Sequence, residues 1–194
     1  MFNDRYGLTQ AVIEGRKTMT RRIELIGSEQ DIIAPGIFEV TSRCIKVRQN
    51  GQLIMSVPLR YKVGEVVAVA QSYKNAGLDP TQYIANGDGY QLIGKHRGWR
   101  NKMYVKAELM PYRIRITGTR CERLQDIPDA DCLKEGIRYM PQIGKFYFED
   151  VRREEGFYFD DHREAFAALV GKVSGRGIWE RNPWMCVYEF TLIK

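Results

Sequence analysis

The chain has 194 residues, 44% of them hydrophobic, and 30 Lys plus Arg against 24 Asp plus Glu give a formal net charge of +6. That length suffices for one domain with a sizeable core, and no segment nears the roughly 18 uninterrupted apolar residues that a membrane helix needs. Cys44, Cys121, Cys132 and Cys186 are scattered without a C-x-x-C pair beside only two histidines, His96 and His162, which excludes zinc-ligand spacing and argues against a disulfide framework.

The first residues, Met1-Phe2-Asn3-Asp4-Arg5, lead into no apolar run like that of a secretory signal, so the expected compartment is the cytosol. Leu8, Val12 and Ile13 followed by Gly15 predict a short helix with glycine available for the left-handed position after its end. Residues 43 to 49 and 52 to 57 flank Asn50-Gly51, a pair that tolerates positive φ and predicts a hairpin. The β-branched run from Val63 to Ala70 lacks alternation, which predicts a central strand buried on both faces. Residues 113 to 119 alternate, with Ile114 and Ile116 on one face and Arg113, Arg115, Thr117 and Thr119 on the other.

Asp129 to Glu135 carries acids near its start and Gly136 after its end, the pattern of a short helix. Asp161 and Glu164 stand at capping-box spacing before Phe166, Leu169, Val170 and Val173, a second amphipathic helix. The run from Trp184 to Leu192 alternates as a buried closing strand. Two stretches, about 74–110 and 138–160, are rich in Gly, Tyr and charge without a clean period, and read as insertions. The expected architecture is therefore one α+β, mainly β domain over 1–194: a small closed or nearly closed β-barrel with helices packed at its ends.

The densest chemical cluster is Gly15-Arg16-Lys17-Thr18-Met19-Thr20-Arg21-Arg22, four basic residues and two hydroxyls directly after a helix. If residues 18–22 are extended, Thr18, Thr20 and Arg22 share one face while Met19 and Arg21 share the other. A solvated basic strand is the plain alternative. Glu135 is the second unusual residue, because a carboxylate in the last turn of a helix faces the negative end of the macrodipole and needs a compensating cation. A third feature is the stretch from Lys95 to Lys106, in which Lys95, Arg97, Arg100 and Lys102 surround Trp99 without an acid. Such cations can follow phosphates while an aromatic stacks on an unpaired base; the alternative is a solvated loop with Trp99 folded onto the barrel.

Gly15-Arg16-Lys17-Thr18-x-Thr20-x-Arg22 resembles the G-x-K-T-x-T-x-R signature of the ASCH domain, a branch of the PUA-like superfamily. Tyr61-Lys62-Val63-Gly64-Glu65 is similar to its following strand entry. Arg123-Leu124-Gln125-Asp126-Ile127, Asp131 and Glu135-Gly136-Ile137 resemble a stretch of the longer phage and prophage ASCH proteins. Phe166-Ala167-Ala168-Leu169 and Trp179-x-x-Asn182-Pro183-Trp184 continue that order to the C-terminus. The chain departs from those relatives at Gln71, where they often carry an acid, and at Val170, where they carry tryptophan.

The resemblance implies a PUA-like barrel that handles RNA or a modified nucleoside. In a small bacterial member that deacylates N4-acetylcytidine, the signature lysine is the proposed proton acceptor, the second threonine the nucleophile and a later glutamate the proton donor. These roles fall on Lys17, Thr20 and Glu135. Arg16, Thr18, Arg21 and Arg22 are the expected substrate-binding neighbours, joined by Lys95, Arg97, Trp99, Arg100 and Lys102 for RNA. No metal or cofactor is implied. The leading expectation is an amidohydrolase acting on an acylated or modified pyrimidine nucleoside; the alternatives are a non-catalytic RNA-binding module and a ribonuclease. Tyrosine-rich insertions would also suit a homodimer interface.

Overall fold

The computed structural model describes residues 1–23, 37–41, 44–87 and 89–193. It is mixed α+β and mainly strand. The central sheet has the order β1 (Met19–Arg22), β12 (Trp184–Ile193), β8 (Arg113–Arg123) and β5 (Val66–Ala68), with every neighbouring pair antiparallel. β12 lies inside this sheet, and Tyr188 and Phe190 on it are 0% and 2% exposed. They pack with Val12, Ile45, Val47, Ile114 and Ile116 into one apolar cluster. A fully buried side chain of this size stabilises by roughly 1.5–3 kcal/mol relative to exposure, so the register of β12 fixes the sheet.

Two further sheets flank this one. β2 (Ile37–Val40), β3 (Cys44–Gln49) and β4 (Gln52–Pro58) form one, and β9 (Arg138–Met140), β10 (Lys145–Asp150) and β11 (Glu155–Phe159) the other. β3 and β4 are joined through Asn50 and Gly51 at φ 52° and 79°, the left-handed pair that a tight hairpin demands. Position 43, expected in the first arm of this hairpin, lies outside the described residues. β6 (Tyr83–Asn86) and β7 (Gly89–Leu92) make a separate hairpin in the first insertion, where Tyr73, Ile84, Ile93 and Met110 form a small core.

Helix α1 (Leu8–Ile13) ends at Gly15, which takes φ 74°. α2 (Asp129–Lys134) begins after Pro128 with acids in its first turn. α3 (His162–Ser174) is capped by the Asp161 carboxylate, which accepts from the backbone N–H of Arg163 and Glu164. α4 (Ile178–Arg181) follows. Phe166 and Leu169 of α3 pack against Leu8, Leu124, Ile127 and Met185, closing one side of the central sheet. Val173, expected on the same face, is 40% exposed, because the helix outruns the core in its last turn.

Two expectations need correction. The barrel is not closed: among the described residues the central sheet stays open, with β1 and β5 as its edges. The run from Val63 to Ala70 is not a central strand. Val66–Ala68 pairs with β8 alone among the described residues, extended by backbone hydrogen bonds of Gly64 and Glu65 to Ile116 and of Val69 to Tyr112; Val63 and Val66 are exposed, while Val69 is buried. A continuous apolar run suits an edge strand equally when one end of it dips into the core.

Candidate active site

The site is built where α1, β1 and α2 converge. After the left-handed turn at Gly15, the backbone N–H groups of Arg16 and Lys17 both donate to the carbonyl of Ala11, each at 2.9 Å. This wraps the chain over the helix end and turns the Lys17 side chain inward, leaving it 2% exposed. Glu135 follows the last turn of α2, and Gly136 then adopts φ 109° with Leu8 packed so close that an added Cβ would lie 3.0 Å from its Cδ2. The ammonium of Lys17 donates to the Glu135 carbonyl at 2.8 Å and to Oε2 of the same residue.

Arg21 holds the other oxygen, its Nη1 donating to Glu135 Oε1 at 2.8 Å. The same guanidinium donates to Glu122 Oε1 through Nε at 2.9 Å and Nη2 at 2.5 Å, and to Asp131 Oδ2 at 3.3 Å. Arg120 extends the network to Asp131 Oδ2 at 2.5 Å, Glu122 Oε2 at 2.8 Å and Glu189. Gly118 makes room for that last contact, since an added Cβ would stand 3.1 Å from Glu189 Oε2. Lys134 closes the circuit on Asp131 at 3.0 Å. Positive and negative groups alternate from the buried Lys17, Arg21, Glu135 and Asp131 out to the partly exposed Arg120, Lys134 and Glu189, so the network carries its interior charges without a net charge, the condition under which such groups are tolerated there. It also answers the macrodipole problem of Glu135, since two cations face it.

Burial holds Lys17 below the ordinary lysine range, opposed by the Glu135 carboxylate and reinforced by the positive charges of Arg21 and Arg22. Burial alone would push the Asp131 carboxyl up, but the hydrogen bond from Lys134 and the charges of Arg120 and Arg21 carry it below its usual 3.8.

An open cavity of about 710 Å³ lies against this network. Lys17, Thr20, Arg21, Arg22 and Glu135 all line it, together with an apolar wall of Leu124, Phe166, Leu169 and Met185. The edge position of β1 explains how residues of both faces reach one cavity. Met19 and Arg21 point into the protein, while Thr20 and Arg22 are only partly covered, and among the described residues β1 pairs with β12 alone. Thr20 and Arg22 also border a narrow apolar slot of about 100 Å³ lined by Tyr61, Tyr188 and Phe190. The hydrogen bonds of Lys17 go to Glu135 and none goes to Thr20. An ammonium has three donors, so one is left for a further acceptor.

The remaining expected site residues are dispersed. Arg16 is paired to Glu14 and lines a separate cavity of about 550 Å³ with Gln71 and Arg138. Thr18 contributes backbone links, donating to Lys134 O at 3.0 Å and accepting from Phe190 N at 2.9 Å. In the 95–106 stretch, Lys95, Arg97 and Arg100 are exposed, with the Arg97 guanidinium 5.8 Å from the Tyr104 ring centroid. Trp99 packs onto the insertion core around Tyr73. Lys102 turns inward, donating to Phe2 O at 2.5 Å, Asp4 Oδ1 at 2.6 Å and Thr9 Oγ1 at 3.1 Å, and so lines the main cavity from its far side.

Arg120, Glu122 and Glu189 belong to the site without standing out in the sequence. The alternation of the 113–119 strand would put Arg120 on the face of Ile114 and Ile116; a register shift at Thr117, which that pattern does not show, turns Arg120 to the opposite face, beside the buried acids. Among the described residues no cluster of His, Cys, Asp and Glu is arranged to hold a metal ion, and no helix is long and apolar enough to cross a membrane. Comparison with known proteins finds no matching family model, no matching curated protein and no matching solved structure.

Proposed function

We propose that this chain is a PUA-like, ASCH-type amidohydrolase that cleaves the acyl group from an N4-acylated or similarly modified pyrimidine nucleoside. The observation that carries this reading is the buried Lys17–Glu135 pair on the wall of a cavity that Thr20 also lines. The Lys17 ammonium donates to the Glu135 carboxylate across that contact. Moving the donated proton from lysine to glutamate converts the ion pair into a neutral amine and a carboxylic acid, the two states that the reaction needs together. Burial favours the neutral amine of Lys17 and the Arg21 charge adds to that by repulsion, while the Glu135 carboxylate opposes both.

The steps then balance. The Thr20 hydroxyl adds to the acyl carbonyl and passes its proton to the amine of Lys17. The C–N bond breaks as Glu135 returns a proton to the departing exocyclic nitrogen, which leaves Thr20 acylated and the pair ionic again. Water then hydrolyses the ester and releases the acid. No metal is used in these steps.

The test is hydrolysis of N4-acetylcytidine by purified protein. Thr20→Ala, Lys17→Ala and Glu135→Gln each lose at least about a hundredfold in kcat/KM, and the double variants are hardly worse than the singles, because the residues act as one unit. Thr20→Ser retains part of the rate. The pH profile is a bell whose limbs belong to the pair, which works only while it carries one proton. An inactive wild-type protein sinks the reading.

A second reading, a non-catalytic RNA-binding module, is favoured by the exposed cations Lys95, Arg97 and Arg100 beside exposed Met103 and Tyr104. RNA binding that falls steeply with salt, in a protein without deacylase activity, is its signature.

A further inference from the structure

The cations along the main cavity differ in how far they are already spoken for. Lys17 and Arg21 are neutralised within the buried network, Lys102 by Asp4 and Arg5 by Asp150. Arg22 and Arg152 line the same cavity with no carboxylate partner among the described residues. Arg60 lines it too, with its guanidinium 5.9 Å from the Tyr61 ring centroid. Arg22 carries a more specific mark: its Nε is out of solvent and has no hydrogen-bond acceptor among the described residues. A buried N–H left without an acceptor is destabilising, and an incoming anion would satisfy it.

We infer that the cavity is built for a nucleoside carrying a phosphate ester, with the phosphate held by Arg22 and the base turned toward Thr20. This rests on the deacylase reading for the base and adds the phosphate. The placement follows from the strand: Thr20 and Arg22 are two residues apart on one face of β1, roughly 7 Å along the chain, and both border the cavity. A guanidinium fork offers two parallel N–H donors to phosphate oxygens, a geometry that lysine cannot reproduce. Arg152, exposed at the rim, adds positive potential without a fixed contact. A neutral nucleoside would leave the Arg22 Nε–H unanswered.

Free nucleotides and RNA both present this chemistry, so calorimetric titrations of the wild-type protein use three probes: cytidine, cytidine 5′-monophosphate and the dinucleotide UpC, whose cytidine carries its phosphate on the same 5′ oxygen. Cytidine 5′-monophosphate is expected to bind at least about tenfold tighter than cytidine. An equal gain for UpC identifies an RNA linkage as the natural ligand, and a gain confined to the monophosphate identifies a free nucleotide. In Arg22→Gln the preference shrinks to about twofold or less while cytidine affinity is kept, and Arg22→Lys restores it only in part. Circular dichroism checks that the variants fold; if they do not, the wild-type ratio decides alone. Equal affinity for all three probes overturns the proposal, as does a folded Arg22→Gln protein that keeps the preference. Running the hydrolysis assay on N4-acetylcytidine and its 5′-monophosphate separates the two readings. Phosphate preference without hydrolysis refutes the deacylase and leaves the phosphate site standing. Hydrolysis of both substrates with the same kcat/KM refutes the phosphate site and leaves the deacylase.

Discussion

Replacing Lys17 with methionine tests whether the ion pair holds the fold together as well as serving the chemistry. Methionine keeps most of the stem volume and removes the ammonium. Two hydrogen bonds are lost, to the carbonyl and to Oε2 of Glu135, and the two side chains are 2% and 6% exposed. Removing one partner of a buried pair costs about 3–5 kcal/mol, because the other charge is stranded. Arg21 still donates to Glu135 Oε1 in the variant, which keeps the carboxylate from being fully orphaned, so a loss near the lower end, about 3 kcal/mol, is expected. Urea unfolding monitored by circular dichroism measures it. A Lys17→Met protein within about 1 kcal/mol of wild type would refute the reasoning, since that is the scale of an exposed pair. The pH dependence gives an independent sign. Lys17 is held below its usual 10.5 in the folded protein. Between the lowered value and 10.5 the unfolded chain therefore binds more protons than the folded one, and this residue's contribution makes stability rise with pH. The difference between wild type and Lys17→Met should show that rise, and a fall with pH would mean that the pair favours charged lysine more than burial opposes it.

Phe190→Ala should cost about 3–5 kcal/mol by the same unfolding assay, because its ring is 2% exposed on an inner strand of the sheet. Gly136→Ala should destabilise by about 1–3 kcal/mol, since φ 109° suits no L side chain and Leu8 leaves no room for a methyl group. Limited alkylation followed by peptide mapping should label Cys44 first and Cys132 last: hydrogen bonds from Ser56 and Thr41 lower the Cys44 thiol, whereas burial pushes Cys132 up to about 12. Replacing Lys95, Arg97 and Arg100 should flatten the salt dependence of any RNA binding, while Lys102→Ala should instead loosen the segment around Asp4 and Thr9 and lower thermal stability.

Local rules make several elements legible in the sequence itself. Gly15, the Asn50-Gly51 pair and the Asp161 cap act through neighbouring backbone, and each stands where the sequence pattern puts it. The alternation of residues 113–117 gives the buried face of β8, with Ile114 and Ile116 at 6% and 2% exposure, but a register shift at Thr117 then turns Thr119, expected on the opposite face, to the side of Tyr188. What escapes such rules is decided at long range. The Val63–Ala70 run looks identical whether its strand is central or at an edge, because partner number is a property of the sheet. The meeting of Lys17 with Glu135 spans 118 positions and is suggested only by family resemblance, since spacing alone carries no sign of it. Strand alternation puts Arg21 on the face opposite Thr20, yet its engagement with three carboxylates depends on β8 and α2 arriving beside it. Lys102 misleads because a lysine in a basic stretch reads as solvated, and only the folded chain shows it gripping Asp4.

The position of β12 bears on how this protein comes to exist at all. Met19 of β1 is paired with Glu189, and β12 is the strand that joins β1 to β8. A ribosome that adds about 5–20 residues per second makes β1 roughly ten to thirty seconds before its partner. Through that interval the sheet cannot assemble, Met19 lacks its cover, and the Arg21 and Arg120 guanidiniums have no common scaffold. Such late, distant pairing slows folding and lengthens the life of sticky intermediates. The nascent chain should therefore gain protease resistance abruptly, in one step, once residues 184–193 have cleared the exit tunnel.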